Sequence, residues 1–141
     1  MKKKIITVIF VLYLLSLFMI TVFRPWRGAY SFMQGTINPR LFVDYGSIIQ
    51  NDIPMFIYLF VGNIVWFVPL GFYIVKYRGK SLLRAIFLGF CLSLTIEVFQ
   101  YVFGTGISEI DDLVLNTFGS LLGAFAGRML IRLRREDIYG D

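Results

Sequence analysis

Histidine is absent from this 141-residue chain, and Cys91 is its single cysteine. The first absence removes imidazole acid–base catalysis, the Ser–His–Asp arrangement and most zinc sites. The second removes an intrachain disulfide. Cys91 lies in an apolar run and reads as buried packing. Charge is also sparse: 16% of residues are Asp, Glu, Lys or Arg, against 57% hydrophobic. A mean hydropathy of +0.73 is too high for a soluble domain of this length. Aromatic residues, 18% of the chain, suit a protein of membrane–water interfaces. The length fits a single domain, residues 1–141.

The apolar residues fall into four long runs. A helix needs about 20 of them to cross the hydrocarbon. Such runs span about 5–23, 53–75, 82–103 and 113–131. The first follows Lys2, Lys3 and Lys4, as a signal peptide would. Its apolar stretch is long for one, and Arg24, Pro25 and Trp26 follow where a small-x-small cleavage site would stand. It therefore reads as a retained anchor. Pro69 inside the second run predicts a kink.

The net charge of +5 would point to nucleic acid in a soluble protein. Here the placement of the charges accounts for it, and no nucleic-acid partner is expected. Lys2, Lys3 and Lys4 precede the first run. Lys76, Arg78, Lys80 and Arg84 flank the tight loop between the second and third. Arg128, Arg132, Arg134 and Arg135 close the fourth. With four spans, all of these lie on one side, leaving Arg24, Arg27 and Arg40 on the other. Basic residues favour the cytoplasmic face. The expected architecture is an all-α membrane protein, a four-transmembrane-helix bundle with both termini cytoplasmic. A long loop, 24–52, and a short one, 104–109, are then external. The long loop carries Trp26, Tyr30, Phe32, Phe42 and Tyr45. It is either a segment lying on the membrane surface or an ordinary aromatic belt.

Strongly polar residues interrupt the apolar runs. Ser93, Glu97 and Gln100 are spaced by four and three, and Gly89 extends the same helix face. Glu97 is about six residues, roughly 9 Å, below the external end of its span. A carboxylate at that depth should face the bundle or a watery cavity. In the next run Asp112, Asn116, Gly119, Gly123 and Gly127 share a face. The three glycines, four residues apart, read as helix packing, because small residues let two membrane helices approach closely. Ser108 with Asp111 three residues on resembles a capping box, and Asp111 then favours the helix N-terminus. Asn63 lies near mid-membrane, where an unpaired amide is costly, and shares its face with Phe67 and Gly71. The economical arrangement is one ligand-binding cluster of Asn63, Glu97, Gln100, Asp112 and Asn116 in the external half, supported by Ser93, Asp111 and Phe67. Such a set can bind a hard cation through oxygen, share a proton, hydrogen-bond a sugar, peptide or lipid head group, or lock helices in register. It calls for no cofactor and no dedicated metal centre.

The segments "NIVWFVPLGF" and "SLTIEVFQ…EIDDLVLNTFGSLLG" resemble the signature of the VanZ-like family of membrane proteins. Its Asn-x-x-x-Phe-x-Pro-x-Gly stretch is matched by Asn63, Phe67, Pro69 and Gly71. Its Ser-x-x-x-Glu-x-x-Gln stretch is matched by Ser93, Glu97 and Gln100. Its acidic turn and Asn-Thr-x-Gly helix are matched by Glu109, Ile110, Asp111 and Asp112, then Asn116, Thr117 and Gly119. Many members carry an arginine just before the acidic turn, where this chain has "GTGISE". The resemblance covers about residues 50–127. It implies a multi-pass protein of the bacterial plasma membrane associated with resistance to glycopeptide antibiotics, teicoplanin more than vancomycin. It supplies no mechanism.

Three kinds of function fit these residues. One is a non-enzymatic envelope protein whose cluster binds an antibiotic, a membrane lipid or a lipid-linked cell-wall precursor at the outer leaflet. Another is an intramembrane enzyme acting on a lipid-linked envelope substrate, with Glu97 and Asp112 as acid and base or as metal ligands. The third is a structural or small transporter-like bundle, in which four spans leave room for an alternating-access pathway only in a homodimer.

Overall fold

A computed structural model describes residues 2–23, 32–33 and 35–139. Trp26 and Tyr30 of the long loop lie outside the described residues. Helix α1 spans Lys2–Val22. Strand β1 (Thr36–Asn38) and helix α2 (Tyr45–Asn51) follow. A rod then runs from α3 (Ile53–Phe56) through a π-turn (Ile57–Val61) into α4 (Gly62–Lys76). Helix α5 spans Leu82–Phe103, strand β2 Ile107–Glu109 and helix α6 Ile110–Tyr139. Four helices, Lys2–Val22, Ile53–Lys76, Leu82–Phe103 and Ile110–Arg134, are long and apolar enough to cross a membrane.

Local chemistry sets most boundaries. The Asp52 carboxylate accepts from the Met55 amide at 2.9 Å, and Pro54 in the first turn gives up a donor that has no helical acceptor. Ser81 caps α5 in the same way through the Arg84 amide. Gly104 ends α5 in the left-handed conformation at φ 59°, where a side chain would be strained. Helix α6 starts at Ile110, earlier than the expected 113, and continues past 131 through its arginines. Ser108 does not cap it. That residue is in β2, and its hydroxyl points to α5 instead. Helix α4 continues through Pro69, and the departure from α-helical bonding lies ahead of it at Ile57–Val61. The Tyr13 hydroxyl donates to the Trp66 carbonyl, in the turn where the proline removes a ladder donor.

Glycine decides the packing. Helices α4 and α6 form the most extensive pair. A Cβ on Gly119 would collide with the Ile64 carbonyl, and one on Gly123 with the Val68 carbonyl. A Cβ on Gly127 would lie 3.1 Å from the Phe72 carbonyl. The partners advance together by four residues, so the two helices run parallel. Gly71 returns the contact from α4, against the Ser120 carbonyl. Helix α5 is antiparallel to α6, with Gly89 against Ser120 and the Ser120 hydroxyl donating to the Ala85 carbonyl at 3.0 Å. Helix α1 runs alongside α5 and packs on α4 and α5 through Leu17, Val22, Phe67, Leu70 and Ile96. Phe67, expected to support the site, belongs to this apolar core.

This directionality puts Lys2–Lys4, Lys76, Arg84 and the arginines of α6 at one end of the bundle. The acidic turn is at the other. The outward surface is apolar: Leu12, Leu15, Phe87, Val98, Phe118 and Phe125 are exposed, while Ser93, Glu97, Gln100, Asp112, Asn116 and Ser120 are buried. Polar inside and apolar outside is the pattern expected of a bundle solvated by lipid.

At the acidic end the long loop does not simply lie flat. β1 pairs in parallel with β2, in the register Thr36 with Ile107, Ile37 with Ser108 and Asn38 with Glu109. Gly35 fits there because a Cβ would strike the Tyr101 backbone. The loop thus covers the ends of α5 and α6.

Gly123→Ala is expected to destabilise the bundle by about 1–3 kcal/mol or more, since the added methyl meets backbone. Gly62→Ala, with nothing within 4 Å of its Cβ position, should be neutral or slightly stabilising. Equilibrium unfolding in detergent, followed by circular dichroism, compares them.

Candidate functional site

The face of α5 is as its spacing predicts. Ser93, Glu97 and Gln100 are 0%, 8% and 4% exposed. Asp112, Asn116 and Ser120 form the facing stripe of α6, and all are buried. The two stripes meet because α5 and α6 are antiparallel and held close at Gly89.

Three groups of hydrogen bonds divide these residues. In the first, Asn63 donates through Nδ2 to Oδ1 of Asp112. Ser93 donates to the Asp112 carbonyl at 3.4 Å, and Asn116 Nδ2 donates to Ser93 Oγ at 2.9 Å. Asn63 of α4, Ser93 of α5, and Asp112 and Asn116 of α6 therefore make one network across three helices. In the second, the Glu109 amide donates to Glu97 Oε2 at 2.9 Å, and the Ser108 hydroxyl donates to the Glu97 carbonyl at 2.7 Å. Glu97 is thus tied to β2, one turn above Ser93. In the third, Gln100 Nε2 donates to the Thr21 carbonyl at 3.0 Å, reaching α1, not α6. These hydrogen bonds run along α5, from Ser93 to α6, from Glu97 to β2 and from Gln100 to α1. Each of these turns of α5 also meets a different neighbour, with β2 packed against its end.

Among the described residues, the buried Gln100 Oε1, Thr105 Oγ1 and Asn116 Oδ1 have no hydrogen-bond partner. Buried acceptors of this kind are costly unless something else meets them. Among the described residues no group of three carboxylates or thiols is placed to hold a metal ion.

Beside Glu97 opens a cavity of about 290 Å³. It is lined by Leu94, Glu97, Val98 and Tyr101 of α5, Ile37 of β1, Ser108 and Glu109 of β2, and Ile110 and Leu113 of α6. Apart from Glu97, Ser108 and Glu109, its walls are apolar or aromatic.

Residues 10–132 match the family described as VanZ/LLP1. The chain belongs to that family. It is similar to Protein VanZ of Enterococcus faecium, at 26% identity over 116 residues. The alignment covers 79% of this chain and 66% of that protein, so the chain spans about two thirds of its relative's length. No solved structure matches the chain.

In this VanZ/LLP1 protein Asp111 does more than favour a helix N-terminus. Its Oδ1 accepts from the Phe42 amide at 2.8 Å, pinning the long loop over the acidic end. Asn38 adds a contact from β1 to Glu109 at 3.3 Å. Tyr45 closes the same end, packed on Phe42, Phe56 and Phe60. Burial, then the charges of Asp112, Asp111 and Glu109, push the Tyr45 phenol well above its ordinary pKa. Thr21, Asn38 and Ser108 were not legible as partners of the site. Each contributes through a contact more than ten residues away in sequence, which no local spacing announces.

Asp111→Ala removes the acceptor for the Phe42 amide. A hydrogen bond to a charged group is worth about 1.5–3 kcal/mol. Hydrogen exchange at Phe42 should accelerate about tenfold or more in the variant, while amides in α4 keep their protection.

Proposed function

We propose that this protein is a multi-pass protein of the bacterial plasma membrane, with both termini cytoplasmic and its acidic end at the outer leaflet. In this reading it contributes to resistance against glycopeptide antibiotics of the teicoplanin type. It does so by binding an acyl-tailed antibiotic, a membrane lipid or a lipid-linked cell-wall precursor. The basic residues gathered at one end support the orientation. Membership of the VanZ/LLP1 family and the similarity to Protein VanZ support the resistance role.

One observation carries the binding reading. Glu97, 8% exposed, lines an apolar-walled cavity on the outward side of the bundle. Its carboxylate is buried behind that wall, where Oε2 accepts from the Glu109 amide at 2.9 Å. One turn below, the Ser93–Asn116–Asp112–Asn63 network supports it. An apolar concave wall of this kind suits the hydrocarbon part of a ligand. An amphiphile arriving from the leaflet would lay its chain on these walls.

The test is expression in a teicoplanin-susceptible bacterium, comparing the wild-type chain with Glu97→Gln and Asp112→Asn at matched membrane abundance. Wild type should raise the inhibitory concentration, and each variant should return it most of the way to the vector control. A wild-type chain without protection overturns the resistance role. Full protection by both variants removes the cluster from the mechanism.

A further inference from the structure

The contacts along α5 fix how deep the long loop lies. Helix α5 has 22 residues and is about 33 Å long at ~1.5 Å per residue, close to the ~30 Å of a hydrocarbon core. With Lys80 and Arg84 at its basic end, Phe103 marks the opposite boundary. Glu97 is six residues back, roughly 9 Å lower, and there its Oε2 accepts from the Glu109 amide at 2.9 Å. Strand β2 therefore lies alongside the last turns of α5, not above them. Strand β1 lies at the same depth, since Ile37 pairs with Ser108 and Asn38 with Glu109. Ile37 also lines one cavity with Leu94 and Val98, which belong to the span itself. The Met33 amide donates to the Val102 carbonyl at 2.8 Å, so the chain descends about two helical turns between Met33 and Asn38.

Backbone below the surface of a bilayer must find its hydrogen bonds within the protein. Residues 35–43 are built to that demand. One edge of β1 is paired with β2. Pro39 has no amide hydrogen to satisfy. The Arg40 amide donates to Asn38 Oδ1 at 3.2 Å, and the Phe42 amide to Asp111 Oδ1 at 2.8 Å. The Asn38 amide group turns inward, donating to Glu109 at 3.3 Å and Asp44 at 3.4 Å. The apolar side chains turn outward: Ile37, Leu41 and Val43 are 61%, 52% and 58% exposed. Polar inward and apolar outward is the pattern of the four spans, and the exposed Val98 and Leu94 of α5 continue it below. Arg40 is exposed, and its long stem lets the guanidinium reach up to the lipid phosphates.

We propose that residues 35–43 are a re-entrant segment inserted in the outer leaflet, with Ile37, Leu41 and Val43 in contact with lipid acyl chains. This rests on the placement of the acidic end at the outer leaflet given above. It makes hydrocarbon, not water, the medium that meets the cavity beside Glu97.

Spin labelling of the full-length protein in liposomes tests this. Ile37→Cys, Leu41→Cys, Leu12→Cys and Gln50→Cys are each made in a Cys91→Ala background and carry a nitroxide. Molecular oxygen concentrates in hydrocarbon, whereas a water-soluble nickel chelate stays outside it. Leu12, exposed in the first span, reports lipid, and Gln50 in α2 reports water. The oxygen-to-nickel accessibility ratio at Ile37→Cys and Leu41→Cys should be several-fold above that at Gln50→Cys and approach that at Leu12→Cys. Circular dichroism confirms that each variant keeps its helices. A ratio equal to that at Gln50→Cys overturns the proposal. So does shielding from both reagents, because protein, such as a second copy of the chain, would then cover the segment. Water-like readings at Ile37→Cys with lipid-like readings at Leu12→Cys remove the inserted segment alone. Water-like readings at Leu12→Cys as well overturn the placement of the bundle in the membrane.

Discussion

The approach of α6 to α4 is the constraint on which the rest depends. Gly119 and Gly123 leave no room for a side chain against the carbonyls of Ile64 and Val68, and Gly71 leaves none against Ser120. In hydrocarbon, helices gain nothing from hiding apolar surface from water, so close backbone packing must supply the attraction. That packing fixes the rotation of α6. Rotation in turn places Asp112 against Asn63 and Asn116 against Ser93. The polar groups are expensive to bury, and the glycine contact brings them near enough to satisfy one another. Widening this contact would separate the helices and strand the amide and the carboxylate.

Function in this account follows from how the polar residues are distributed along α5. Ser93 is committed to the inter-helix network, and Gln100 to α1. Glu97 lies between them, tied to β2 and beside a cavity. Its position differs in kind from that of Asp112, which is tied across the bundle. The long loop matters because it supplies β1 and is anchored by Asp111, so the acidic end has a fixed lining.

Much of this was legible in the chain. The third span, 82–103, coincides with α5, and the second with the rod Ile53–Lys76, because the apolar runs end where Ser81, Gly104 and Asp52 cap the helices. The glycine face of α6 and the burial of Ser93, Glu97 and Gln100 followed from spacing alone. Ser108 misled because its pattern fits a capping box, yet three residues of parallel strand, paired across about 70 residues of sequence, outcompete the cap. Such a short strand has no periodicity to read. Spacing put Gln100 on the correct face but could not show that this turn meets α1, and it could not separate Phe67, a core side chain, from Asn63 one turn away. Local rules identified the faces; which partner each face meets depends on the bundle as a whole.

The central claim is that the acidic end, with the cavity beside Glu97, faces the outside of the cell. A membrane-impermeant thiol reagent tests it in a Cys91→Ala background, with a single cysteine placed at Gln50 in α2 or at Lys80 in the α4–α5 turn. The account predicts that Gln50→Cys is labelled in intact cells and that Lys80→Cys is labelled only after permeabilisation. The opposite pattern, or labelling of both sites in intact cells, would contradict it.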